Sequence, residues 1–94
     1  MATVYVLLSE VLNSYYIGSC KDLEKRIEAH NNKQYKNSYT KKAEDWKVLF
    51  RLDELSFKQA RNIEKHIKKM KSRKYIENLI QYPEMSIELR NKYQ

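Results

Sequence analysis

The sequence predicts an α/β (α+β) fold in which a small three-stranded, mainly antiparallel sheet is flanked by helices in the order β-β-α-β-α-α. The chain of 94 residues is long enough for one hydrophobic core only. Its hydrophobic share of 41% is sufficient for such a core and too high for a disordered tail. Short β-branched and aromatic runs alternate with segments whose apolar residues recur every three or four positions, which is the pattern of strands alternating with amphipathic helices.

Two apolar runs near the N-terminus predict a β-hairpin. Residues 3–8 are β-branched and aromatic, as buried strands are. Residues 15–19 form the second run after a short polar connection. Side chains alternate across a strand, so we expect Tyr5 and Tyr16 nearly opposite one another on one face, beside the single glycine, Gly18. The alternative is that the two tyrosines are ordinary half-buried strand residues.

Helix-start signals divide the rest of the chain. The S-x-x-D pattern that begins at Ser19 predicts the start of a first helix, which runs to about Asn31. Residues 46–52 alternate between apolar and basic side chains and predict the third strand. Ser56 and Ser72 are expected caps of a second and a third helix, and Pro83 ends the third. We expect one domain over residues 1–82 and, in residues 83–94, a tail that can form a short helix. The expected inward positions of the second helix are Phe57, Ala60, Ile63, Ile67 and Met70.

Positive charge is concentrated in one segment. The chain has 19 Lys and Arg against 12 Asp and Glu, a net charge of +7. Residues 58–74 contain eight basic residues and one acid, so this segment alone carries a net +7. So large a surplus in a small domain makes nucleic acid the first partner to consider. The alternative is a solvated helix face without a partner.

Several classes of protein are excluded or disfavoured. One cysteine, Cys20, excludes an internal disulfide framework and a cysteine-cluster metal site. No apolar run approaches the ~20 residues that span a bilayer. The N-terminus has no basic region and reaches an acid within its first ten residues, unlike a signal peptide. We therefore expect a soluble cytoplasmic protein with no membrane partner, monomeric by default.

A polar stretch precedes the third strand. Residues 32–45 interleave lysines with tyrosines, and a loop this long in a small domain is usually functional or disordered. Together with the basic helix, it supplies the candidate nucleic-acid contacts. These are Lys36, Tyr39 and Lys41 in the loop and Arg61, Lys65, Lys68 and Lys69 on the second long helix.

Two charged residues lie beside expected apolar stripes. Arg26 shares a helix face with His30, four residues later, and a guanidinium is well shaped for binding phosphate. The alternative is a rim arginine next to a half-buried histidine. Glu64 lies on the core side of the cationic helix, where a carboxylate can hold a hard metal ion. Its alternative role is an ion pair with Lys68 at i+4.

These features in combination resemble the GIY-YIG nuclease superfamily, in particular the small stand-alone bacterial members that are related to the N-terminal domain of an excinuclease component. The resemblance covers about residues 3–81 and implies a three-stranded sheet flanked by helices. The matching stretches are Val4-Tyr5-Val6, Tyr15-Tyr16-Ile17-Gly18-Ser19, Asp22 to Asn31, Tyr39-Thr40-Lys41 and Ala60 to Lys69.

The resemblance implies catalytic roles for Tyr5, Tyr16, Arg26, His30 and Glu64. In the family a tyrosine helps to activate the attacking water, the arginine steadies the scissile phosphate, and the glutamate holds one divalent cation, Mg²⁺ or Mn²⁺. Such groups suit phosphodiester hydrolysis. We expect the five side chains to line one groove on the face of the sheet.

The sequence also departs from the family pattern. The first motif is Thr3-Val4-Tyr5 instead of Gly-Ile-Tyr, so only its tyrosine is kept. Some family nucleases carry a lysine soon after the second motif, where this chain has Ser19 and Cys20 before Lys21. The nearest candidate for a family asparagine on the last helix is Asn78, which is out of register.

The resemblance favours a Mg²⁺-dependent endonuclease that acts on DNA, in repair or recombination. One alternative is a non-catalytic nucleic-acid-binding module that keeps the fold and the basic helix. A protein-interaction domain with an incidental basic surface is the third interpretation. The spacing of Tyr5, Tyr16, Arg26 and Glu64 favours the nuclease over both.

Overall fold

The computed structural model describes residues 1–31 and 43–94. It confirms the α+β class, with a three-stranded antiparallel sheet and helices on both of its faces. A fourth helix forms where the sequence predicted a tail able to form a short one. The elements are β1 (Ala2–Ser9), β2 (Ser14–Cys20), α1 (Leu23–Asn31), β3 (Lys47–Leu55), α2 (Phe57–Met70), α3 (Arg73–Gln81) and α4 (Pro83–Lys92).

The strand order is β2-β1-β3, so β1 is central and β2 is an edge strand. A tight turn joins β1 to β2, and its last residue, Asn13, has a φ of 50° in the left-handed region that asparagine tolerates. The turn pairs Ser9 with Ser14, which sets the register of the hairpin. Tyr5 consequently faces Gly18, and Tyr16 lies two positions further along. The two tyrosines were expected nearly opposite one another; they lie on one face of the sheet but are diagonal, two residues from a directly opposite pair.

Each face of the sheet carries its own hydrophobic core. On one face, residues of β1 and β3 pack against α2, α3 and α4; Ile63 and Ile67 of α2 and Leu89 of α4 are among the buried residues. On the other face, Tyr5 packs with Leu23 of α1 and residues around Trp46. Helices α1 and α2 therefore lie on opposite faces of the sheet.

The helix ends explain where two predictions succeed and one fails. Ser56 caps α2 in a capping box with Gln59, and Ser72 accepts a hydrogen bond from the Tyr75 amide, as the sequence predicted. The start of α1 differs, because Asp22 caps it by accepting a hydrogen bond from the Lys25 amide at 3.2 Å. Strand β2 extends through Cys20, which keeps the predicted cap, Ser19, in the sheet.

Two expected core positions of α2 are exposed. The side chains of Phe57 and Met70 remain 56% and 45% accessible, because they occupy the first and last positions of the helix. Pro83 follows α3 as predicted and is itself the first residue of α4, a position that suits its fixed φ and missing N–H. In the described part of the chain, no helix has the length and apolar character needed to cross a membrane.

Candidate active site

The phenol of Tyr5 extends from the central strand across the edge strand. A Cβ added at Gly18 would lie 2.5 Å from the Tyr5 hydroxyl oxygen and 2.7 Å from Cζ, well inside van der Waals contact. Glycine is therefore required by this close approach of a ring to the backbone. Tyr5 is 1% exposed, so the packing fixes its ring over β2.

Tyr16 lies on the same face of the sheet, diagonal to Tyr5. The centroids of the two rings are 6.4 Å apart, and the Tyr16 ring is also 6.4 Å from that of Trp46, in an edge-on arrangement. Tyr16 is half-buried. The structure thus brings both phenols to one region of the sheet despite the offset in register.

Arg26 lines a cleft between the two helices that flank the C-terminal end of β2. Burial of Leu23 against the sheet anchors α1 on its face and directs Arg26 towards this end. From α2, Arg61 lines the same cleft, so two guanidinium groups from opposite faces of the sheet border one space. The cleft has a volume of about 280 Å³ and is lined by Ala2, Ser19, Cys20, Lys21, Arg26, Phe57, Ala60 and Arg61.

Glu64 is held against the edge strand. The Ser19 hydroxyl donates to its Oε1 at 2.5 Å, and the Lys68 ammonium donates to its Oε2 at 2.6 Å. Ile63 and Ile67 face the sheet, so the next position around the helix brings Glu64 to the β2 edge. Its side chain is 19% exposed, and the ion pair with Lys68 at i+4 is the alternative role considered from the sequence.

The candidate residues do not share one face of the sheet, contrary to the expectation from the sequence. Tyr5, Tyr16 and α1 lie on one face, and Glu64 approaches from the other. Tyr5 and Glu64 both reach the edge strand, Tyr5 over Gly18 and Glu64 at Ser19, because β2 directs Gly18 to the first face and Ser19 to the second. Ser19 links the two groups, since it bonds Glu64 and lines the cleft with Arg26.

Ser19 was not among the site residues predicted from the sequence. Its S-x-x-D context predicted a helix cap, so Ser19 was assigned to the start of α1, whereas it lies in β2. The signal that identifies it is alternation: Ser19 follows Gly18 and so faces the helix that carries Glu64.

A second basic cleft lies at the other end of β2. It has a volume of about 250 Å³, and its basic residues are Lys68, Lys71 and Arg73. The guanidinium of Arg73 lies 5.3 Å from the centroid of the Tyr15 ring and donates hydrogen bonds to Asn13. Lys68, which bonds Glu64, lines this second cleft, and the two clefts beside β2 are together called the basic trough along β2.

The four predicted nucleic-acid contacts on α2 lie on two different surfaces. Arg61 and Lys68 belong to the trough along β2, whereas Lys65 and Lys69 line a groove between α2 and α4. The other candidates, Lys36, Tyr39 and Lys41, lie outside the described residues. His30 is in the last turn of α1, and its side chain lies outside the described part as well.

The donor set fits a divalent cation only with help from a substrate. Among residues 1–31 and 43–94, no three His, Cys, Asp or Glu side chains form a metal-binding group. Mg²⁺ commonly binds one or two carboxylates together with waters and substrate phosphates, and Glu64 matches that description. The Lys68 ammonium bonded to Oε2 must move before a cation can bind that oxygen.

The thiol beside the cleft is unsuited to nucleophilic chemistry. Cys20 is buried, and this burial raises the pKa of the thiol against the lowering influence of Arg26. Because the thiolate is the nucleophile, Cys20 acts as a packing residue at the end of β2.

Two comparisons with known proteins found a similarity to this chain. A family model described as the GIY-YIG catalytic domain matches residues 1–76, a range that includes every candidate site residue. The chain is similar to a UPF0213 protein from Bacillus halodurans whose solution NMR structure is known. The two sequences are 26% identical over 86% of this chain and 84% of that chain, and the two structures superpose with a TM-score of 0.53. No curated protein is significantly similar in sequence.

Proposed function

The chain belongs to the GIY-YIG catalytic-domain family, and on that premise we propose that it is a metal-dependent endonuclease that hydrolyses phosphodiester bonds in DNA. The observation that supports this most is that Tyr5, Glu64 and Arg26 all lie beside two consecutive residues of β2, Gly18 and Ser19. Tyr5 lies over Gly18, and Ser19 both bonds Glu64 and lines the cleft with Arg26. A phenol, a carboxylate and a guanidinium therefore approach the same edge of the sheet.

Charge and position suggest what each residue does. Arg26 and Arg61 border the cleft from both sides and would bind the non-bridging oxygens of the scissile phosphate, which a guanidinium fork matches. One of the two tyrosines, Tyr5 or Tyr16, would accept the proton of the attacking water as its phenolate, and the other would hold that water by a hydrogen bond. Glu64 would hold the divalent cation, and a bound cation supplies Lewis-acid stabilisation of the leaving oxygen.

Lys68 has a second role in this proposal. Its ammonium neutralises Glu64 in the structure described, so a largely buried carboxylate is not left without a partner. With a substrate phosphate bound, Lys68 would turn to the phosphate backbone in the trough. Oε2 of Glu64 would then be available to hold a divalent cation, while Ser19 would keep Oε1 oriented.

The same contacts favour a second candidate, a non-catalytic nucleic-acid-binding module. Both oxygens of Glu64 have partners, and the described residues place no metal-binding group of three around it. In that case Glu64 serves to position Ser19 and Lys68, and the basic trough binds DNA without cleaving it.

A cleavage assay separates the two. The parent protein is incubated with single-stranded, nicked, flapped and branched DNA in Mg²⁺ or Mn²⁺. Glu64→Gln keeps an acceptor for Ser19 but removes the charge, and Arg26→Ala removes the phosphate ligand, so each should lower the cleavage rate by roughly 10²–10³-fold. The matched controls are Glu28→Gln and Lys25→Ala on the exposed side of α1.

Each outcome selects one of the two functions. Substrates that stay intact at high protein concentration and with Mn²⁺ would leave the binding module as the function. Preferential cleavage of flapped or branched DNA would support a role in repair or recombination, and a parallel set of RNA substrates tests the choice of DNA.

A further inference from the structure

A large cavity lies between α2 and α4, on the flank of α2 that faces away from β2. It has a volume of about 510 Å³, within the range of small-ligand pockets. Neither Arg26 nor Glu64 lines it, so it is separate from the candidate active site. The lining residues are Asn62, Lys65, His66, Lys69, Met70, Lys92 and Tyr93.

The chemistry of this groove is that of an anion site. Three lysines, Lys65, Lys69 and Lys92, line it, and no carboxylate is among its described lining residues. His66 Nδ1 and the Tyr93 hydroxyl lie 2.8 Å apart in a hydrogen bond, which fixes both polar groups at the wall. Lysine ammoniums bind phosphate as point charges, and the fixed polar groups at the wall orient the ligand.

We propose that the groove between α2 and α4 binds a phosphoryl group, with Lys65, Lys69 and Lys92 as its cationic ligands and Asn62, His66 and Tyr93 as polar contacts. The cavity is larger than a phosphate, and Met70 and the Tyr93 ring give it apolar walls. The ligand is therefore a phosphoryl group attached to a larger body, either a free nucleotide or a nucleotide within a nucleic acid.

The test follows the His66 and Tyr93 resonances by NMR at constant pH in the absence of divalent metal, so that the result does not depend on cleavage. The ligands added are inorganic phosphate, adenosine monophosphate and a short single-stranded oligonucleotide. We expect the His66 and Tyr93 resonances to shift together and to saturate as the ligand concentration rises. In Lys92→Ala, affinity should fall roughly three- to tenfold, the effect of removing one charge-assisted contact.

The control is Lys74→Ala, an exposed lysine of α3 outside the groove, which should leave affinity within a factor of about two. Binding of adenosine monophosphate but not the oligonucleotide identifies a free nucleotide as the ligand, and the reverse identifies nucleic acid. The proposal is overturned if none of the three ligands shifts the His66 and Tyr93 resonances. Equal effects of Lys92→Ala and Lys74→Ala overturn it too, whether or not the protein cleaves DNA.

Discussion

Substituting Gly18 by alanine should disturb both the fold and the candidate site. The new methyl carbon would lie 2.5 Å from the Tyr5 hydroxyl oxygen, about 1 Å inside ordinary contact. The Tyr5 ring is 1% exposed and cannot swing into solvent, so the ring or β2 must shift. Overpacking of this kind costs about 1–3 kcal/mol.

One effect partly offsets this cost. Gly18 does not have a positive φ, so alanine fits its backbone. Alanine also gives the unfolded chain less conformational entropy than glycine does, which stabilises the fold by about 0.4–1 kcal/mol. The net expectation is a loss of about 1–2 kcal/mol, which in a domain of this size lowers Tm by roughly 4–15 °C. Because the hydroxyl of Tyr5 is displaced, cleavage should fall as well.

The assay is a double-mutant cycle by thermal and urea denaturation. Tyr5→Phe removes the hydroxyl but leaves Cζ at 2.7 Å from the new methyl, so Gly18→Ala should cost less in that background, with a coupling of about 0.5 kcal/mol or more. If Gly18→Ala is neutral in stability and leaves the Tyr5 ring resonances unmoved, the close packing of Tyr5 over Gly18 is refuted.

Four further outcomes follow from the structure. Asn31→Ala should lower the free energy of unfolding in urea by about 1–3 kcal/mol, because the Asn31 side chain bonds the backbone N–H and C=O of Trp46 at 2.9 and 3.1 Å. An unchanged free energy would show that the end of α1 is not anchored there. Hydrogen bonds from Ser9 and from the Val11 and Glu10 amides lower the pKa of Asp45. The ionised carboxylate therefore contributes stability above about pH 4, and this contribution is lost as the pH falls through the folded-state pKa. The Tm measured from about pH 2.5 to 6 should depend less on pH in Asp45→Asn than in the parent protein. With about five phosphate contacts, log affinity for DNA should fall with log salt at a slope on the order of −4 to −5, and a slope near zero would exclude nucleic acid. Lys68→Ala should reduce that slope by about one and more than Lys74→Ala, because Lys68 lies in the trough along β2 and Lys74 lines neither that trough nor the groove between α2 and α4.

Local sequence signals were sufficient for most of the fold. Capping at Ser56 and Ser72 placed the starts of α2 and α3 correctly, since a hydroxyl beside unbonded amides acts locally. Alternating apolar residues identified the strands, although β3 extends to Leu55 through a left-handed residue, Glu54, with a φ of 60°. Alternation alone does not predict such irregularities.

The sequence could not predict which helices pack on which face of the sheet. The position of Glu64 on its helix was predicted correctly, but whether α2 lies on the same face as Tyr16 depends on how the chain crosses the sheet. Register is also set by the turn, and the pairing of Ser9 with Ser14 moved Tyr16 two positions from Tyr5. Such non-local choices are decided by packing of the complete domain.

The position of the candidate site at an edge strand has a physical reason. Groups attached to opposite faces of a sheet can reach one ligand only where the sheet ends, and β2 is that end. Gly18 leaves room for the Tyr5 ring on one face, and Ser19 bonds Glu64 on the other. Two consecutive residues thus connect the phenol to the carboxylate, while the guanidiniums of Arg26 and Arg61 border the cleft beside them. A phosphate in that cleft would meet positive charge from both faces, an arrangement that a site built on a single face of this sheet would not provide.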